Sequence, residues 1–169
     1  TQVAPLLLAL VAGVGLGSVL AGIWSRGRVE LGILPLGAGG LAFSALMLFT
    51  VEGELYDPSK HWTISYIGAS TLLFSLGMFA DLFNVPLAAY MQRYSKPEDR
   101  GTILAASNFL TFAGMLVTSL LFWLLTTKLQ FSPRQVFLLC GIVTLPVLIY
   151  IVCIIPQASI RFFAWLATH

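Results

Sequence analysis

Asp81 is a carboxylate in an apolar setting, and Asn84, Ala88 and Gln92 follow it at spacings of three, four and four residues. On a helix these positions share one face. Such a face can bind a polar group or line a polar path, but it holds no group set up to make or break a bond. Pro86 lies in the same stretch, removes a backbone donor and can kink a helix. A second polar set follows at Ser107, Thr111 and Thr118, with Asn108 beside it and Gly114 allowing close approach. The residues expected to face a substrate path are therefore Asp81, Asn84, Gln92, Ser107 and Asn108. Both stripes have a second reading, hydrogen bonding between helices, worth about 0.6 kcal/mol per bond in membrane proteins.

Other chemistries find no residues to run on. No Gly-x-Ser-x-Gly elbow and no phosphate-binding loop with a lysine occurs. His61 and His169 stand alone, so no metal site is expected, and no cofactor is implied. The cluster Gly13, Gly15 and Gly17 is not a dinucleotide loop, because its third glycine is misplaced and no strand precedes it. No basic tract suits nucleic acid. Cys140 and Cys153 lie about 20 Å apart if one helix carries both, too far to bridge, and are expected to be small buried apolar residues.

The elements that must position the polar residues are apolar and long. The hydrophobic fraction is 58%, the charged fraction 9% and the mean hydropathy +0.91. Globular domains carry about a quarter charged residues, and a water-soluble chain of this composition would expose too much apolar surface. Five runs with almost no charge predict an all-α, polytopic membrane bundle with spans near 3–24, 31–51, 62–91, 102–127 and 133–155. Residues 1–155 form one bundle on this reading. Residues 156–169, with Phe162, Phe163 and Trp165 beside Arg161, are expected to lie in the headgroup zone or to lead into a further domain.

Within the first span Ala9, Gly13, Gly17 and Ala21 recur every four residues, a stripe that lets helix backbones approach closely in lipid. The second span holds Pro35 and a cluster at Gly37, Gly39 and Gly40. Ser132 followed by Pro133 is a helix start. Alternating spans place Arg26, Arg28, Arg93, Lys96, Arg100 and Arg161 on one side and Lys60, Lys128 and Arg134 on the other. The excess marks the first side as cytoplasmic. Trp24, Trp62, Tyr66, Tyr90, Tyr94 and Trp165 fall near span ends, as an aromatic belt requires.

Three segments carry a family resemblance. Residues 17–32 (GSVLAGIWSRGRVELG) resemble the basic loop between the eighth and ninth helices of major facilitator superfamily transporters. The same loop running into Pro35-Leu-Gly37, together with residues 82–92 (LFNVPLAAYMQ) and 100–109 (RGTILAASNF), looks like the lysophospholipid transporter branch. Residues 156–169 resemble the junction at which that transporter is fused to a glycerophospholipid acyltransferase.

The resemblance implies that the chain is the C-terminal half of such a transporter, helices eight to twelve of a longer protein. Arg26 and Arg28 would form its cytoplasmic gate loop. The third span would line the cavity, the second and fifth would be outer scaffold, and the first would pack against the missing N-terminal half. Asp81 stands where the family would have a small or apolar residue, which makes it specific to this protein or a proton-coupling group. The implied activity is the flipping of a lysophospholipid across a bacterial inner membrane by alternating access, with the C-terminus in the cytoplasm. No enzymatic activity is expected in this segment; an acyltransferase would lie beyond His169. The competing readings are a drug or metabolite facilitator of the same superfamily, and a non-transporting anchor for the fused enzyme. The expected partners are the bilayer, a lysophospholipid or similar amphiphile, the N-terminal half and the acyltransferase.

Overall fold

The structure, a computed structural model, describes residues 3–25, 31–51 and 64–154. Five helices follow in order: α1 (Val3–Ser25), α2 (Leu34–Thr50), α3 (Ile64–Tyr94), α4 (Arg100–Trp123) and α5 (Pro133–Ile154). No strand occurs among the described residues, and the chain is an all-α bundle. Four helices, all but α2, are long and apolar enough to cross a membrane.

The second span differs from the expected single helix. Its α-helical part is 17 residues, preceded by a three-residue 3₁₀ turn at Leu31–Ile33. The cause is Pro35, which sits in the first turn of α2 rather than inside it. A proline there costs nothing, since the first N–H groups of a helix have no intrahelical acceptor. It cannot continue an α-helix backwards, so the tighter turn carries the chain into α2. Turn and helix together rise roughly 31 Å, close to the thickness of a hydrocarbon core.

α3 is the centre of the packing. α1 lies along one side of it, α2 along another, and α5 packs on the far side of α2. The residue pairs fix directions. Gly13 faces Phe74 and Gly17 faces Met78, so α1 and α3 run parallel. Gly37 faces Phe83 and Gly40 faces Phe79, so α2 runs against α3. Gly141 meets Leu46 while Gly39 meets Leu148, so α5 runs against α2. This is the alternation expected of consecutive membrane crossings.

The seams are built from small residues. A Cβ on Gly13 or Gly17 would overlap the carbonyl of Phe74 or of Met78, and one on Gly77 would overlap the carbonyl of Leu10. Ala21, Ala38 and Ala42 are among the most buried residues, at 0%, 1% and 2% exposure. Lipid tails are as apolar as leucine, so backbone approach replaces hydrophobic collapse as the source of cohesion. Gly13 and Gly17 of the stripe from Ala9 to Ala21 thus lie against α3 of this chain. In the second span Gly37 and Gly40 are contact points for Phe83 and Phe79.

α4 stands apart. It touches α3 only slightly, and none of its residues is buried. Phe109, Leu110, Phe112 and Leu116 are each about 70% exposed. Cys140 and Cys153 on α5 are exposed as well, which corrects the expectation that they are buried. α5 packs through Gly141 and Leu148, and the two cysteines fall away from that contact.

Two local devices close the connection from α4 to α5. The last turn of α4 widens into a π turn at Leu124–Lys128, and Gln130 takes a left-handed φ of 56° that ends it. The Phe131 N–H then donates to the Leu125 carbonyl at 2.9 Å. Ser132 and Gln135 form a reciprocal cap. The Ser132 N–H donates to Gln135 Oε1 at 2.8 Å and the Gln135 N–H donates to Ser132 Oγ at 3.4 Å. This is the capping box, and Pro133 between them occupies a position that needs no donor. Above it, the guanidinium of Arg134 lies 5.8 Å from the ring centre of Phe49, at the end of α2.

Candidate functional site

The centre of interest is Asp81, in the eighteenth position of α3's 31 residues. It is half-buried, on the side of α3 that α1 covers. The Ser18 hydroxyl of α1 donates to Asp81 Oδ2 and also contacts the Val14 carbonyl of its own helix at 3.1 Å. Ser18 is one residue past Gly17, and Asp81 is one turn past Gly77. The glycine-lined approach of the two backbones therefore brings a short serine side chain within reach of the carboxylate.

A carboxylate at bilayer depth on a lipid-facing surface would cost about 2.5–3.5 kcal/mol on insertion scales. The position of Asp81 at the seam, with a donor across it, offsets part of that cost. Both original readings of this residue are compatible with the geometry. The bond joins two helices, and the carboxylate keeps a second oxygen that receives no bond from the described residues.

The other predicted path residues separate into groups. Asn84 lies one turn beyond Asp81 and is exposed, outside the α1 contact. Gln92 is also exposed and belongs to a different place, the elbow between α3 and α4. Ser107 is half-buried and Asn108 exposed, both on α4, whose contact with α3 is too slight to form one continuous polar wall with Asp81. Two hydroxyls of the α4 stripe are used locally. Thr111 donates to the Ser107 carbonyl at 2.9 Å and Thr118 to the Gly114 carbonyl at 2.8 Å. Such back-bonding satisfies a hydroxyl in an apolar medium without a neighbour. Arg26 and Arg28, the expected gate residues, lie outside the described residues, as does the tail from 156 to 169.

Sequence reasoning missed Ser18. The signal was present: a carboxylate inside an apolar helix needs a donor, and Ser18 is a hydroxyl flanking a stripe already marked as a close-approach face. Against it stands the usual habit of hydroxyls in apolar helices, which bond their own backbone as those of Ser70, Thr71 and Ser75 do on α3.

No group of three or more His, Cys, Asp or Glu side chains gathers among the described residues. Comparison of the chain with family models, with curated proteins and with solved structures returns no match.

Proposed function

We propose that the chain is a multi-pass membrane segment of a transporter of the major facilitator type, and that the cargo is a lysophospholipid moved between the leaflets of a bacterial inner membrane. The observation that carries the transport reading is the Ser18–Asp81 pair: an ionisable group in the interior of an apolar helix, held at a glycine-lined seam between two membrane-length helices. Ionisable groups at such depth mark substrate or ion pathways by default. α4 adds support. Its uncovered surface carries Asn108, a polar group suited to face a second protein body or a watery path, among large exposed apolar side chains that suit acyl chains.

The cargo class rests on the resemblance of residues 17–32, 82–92 and 100–109 to the lysophospholipid branch. An amphiphile suits a route that is mostly apolar with few polar points. On this reading the C-terminal ends of α1 and α3, which lead in sequence to Arg26 and Arg28 and to Lys96, face the cytoplasm, and Asp81 responds to the cargo headgroup or to a proton.

The test is lysophospholipid movement in vesicles reconstituted with the full-length protein. Wild-type protein should move the lipid, and Asp81→Asn should lower the rate about tenfold or more while the protein still inserts. Full movement by Asp81→Asn would remove the site from the mechanism. No movement by the wild type would favour the anchor reading instead.

A further inference from the structure

α3 and α4 are joined by a tight elbow, closed by a bond from the Asp99 N–H to the Lys96 carbonyl at 3.0 Å. A cleft opens inside it, with about 350 Å³ of space, part of it open to the surroundings. Met91, Gln92 and Ser95 line one wall; Arg100, Ile103 and Leu104 line the other. It therefore offers one guanidinium and one amide at the elbow and an apolar wall running up α4.

The polar groups are arranged for an external anion. Arg100 Nε donates to the Ser95 carbonyl at 3.4 Å, which steadies the guanidinium beside the cleft. Its terminal nitrogens form no ion pair with a described carboxylate, although Glu98 and Asp99 precede it in the chain. The Ser95 hydroxyl is already spent on the Met91 carbonyl. Lys96, exposed on the same elbow, adds positive charge. Tyr90 and Tyr94 precede the elbow on α3 and pair with ring centres 4.4 Å apart and planes tilted by 34°, a placement near a span end that suits the headgroup layer.

We propose that this cleft holds an anionic phospholipid, its phosphate on Arg100 and Gln92 and one acyl chain along Ile103 and Leu104. A guanidinium fork matches phosphate oxygens in two parallel bonds. Basic pockets at the ends of membrane helices recognise anionic headgroups in this way. A soluble anion would have no use for the apolar wall. The site rests only on α3 and α4 crossing a bilayer and is independent of what the protein carries.

Native mass spectrometry of the full-length protein, released from detergent after exposure to phosphatidylglycerol or phosphatidylcholine, tests this. Wild-type protein should retain phosphatidylglycerol about tenfold better than the zwitterionic lipid, and Arg100→Gln should abolish that preference. Leu104→Trp, which fills the apolar wall and leaves the charge, should lower retention of phosphatidylglycerol by a similar factor. Millimolar inorganic phosphate should leave the bound lipid in place. Equal retention by wild type and Arg100→Gln overturns the proposal, and so does displacement by inorganic phosphate alone, which would make the cleft a free-anion site. Should Arg100→Gln fail to fold, Leu104→Trp decides: undiminished retention in that variant overturns the proposal.

Discussion

Gly13 lies so close under the Phe74 carbonyl that no side chain fits between them. Two residues on, Gly15 faces open space, with no atom of a neighbouring helix within 4 Å of where a Cβ would stand. The two glycines share a helix and a composition but not an environment. Gly13→Ala must push α1 off α3, because the obstacle is backbone, and should cost about 1–3 kcal/mol, the usual range for overpacking. Gly15→Ala should be neutral or stabilise by up to about 1 kcal/mol through helix propensity. Thermal unfolding of the two variants in the same detergent distinguishes them.

The Ser18–Asp81 bond should show as coupling. Ser18→Ala and Asp81→Ala are each expected to destabilise the α1–α3 pair modestly, with an interaction energy of about 0.5–2 kcal/mol in a double-mutant cycle. Additive losses would mean that the hydroxyl and the carboxylate act separately.

The cap at α5 makes a local prediction. Ser132→Ala should cost about 1 kcal/mol and speed hydrogen exchange over the first turn of α5, leaving exchange in α3 unchanged. Gln135→Ala should give a smaller effect, since it removes only the bond to the Ser132 N–H.

Orientation is testable by labelling. With Cys140 and Cys153 replaced, single cysteines at Lys96 and Lys128 should react with an impermeant reagent from opposite sides of a sealed vesicle, because α4 lies between them. The cysteine at Lys96 should be the one protected in right-side-out cells. Labelling of both from one side would mean that α4 does not cross.

How much of this was legible in the residues follows from the kind of signal each carries. Charge-free length is written directly in the sequence, so helix number and order were readable, with ends displaced by two to four residues at α3 and α4. The stripe from Ala9 to Ala21 announced a close contact but not its partner, because any helix presents a backbone to a glycine. The choice of α3 depends on Gly77 and on the direction of the chain, which local spacing does not encode. Pro35 was visible, yet its place at a helix start depends on a turn that cannot be told from helix by hydropathy. The polar residues were found one by one. That Asp81 meets Ser18 while Gln92 sits at an elbow and Asn108 on an uncovered helix is a property of packing alone.

The order of packing differs from the order of synthesis. α2 is made early, yet one of its faces belongs to α5, which begins roughly eighty residues later. At about 5–20 residues per second, that face stays vacant for about 4–16 s while α3 and α4 are inserted. The half-made bundle therefore depends during biogenesis on a temporary occupant, whether acyl chains or the insertion machinery. A ribosome stalled before Pro133 would leave α2 open to the wrong neighbour.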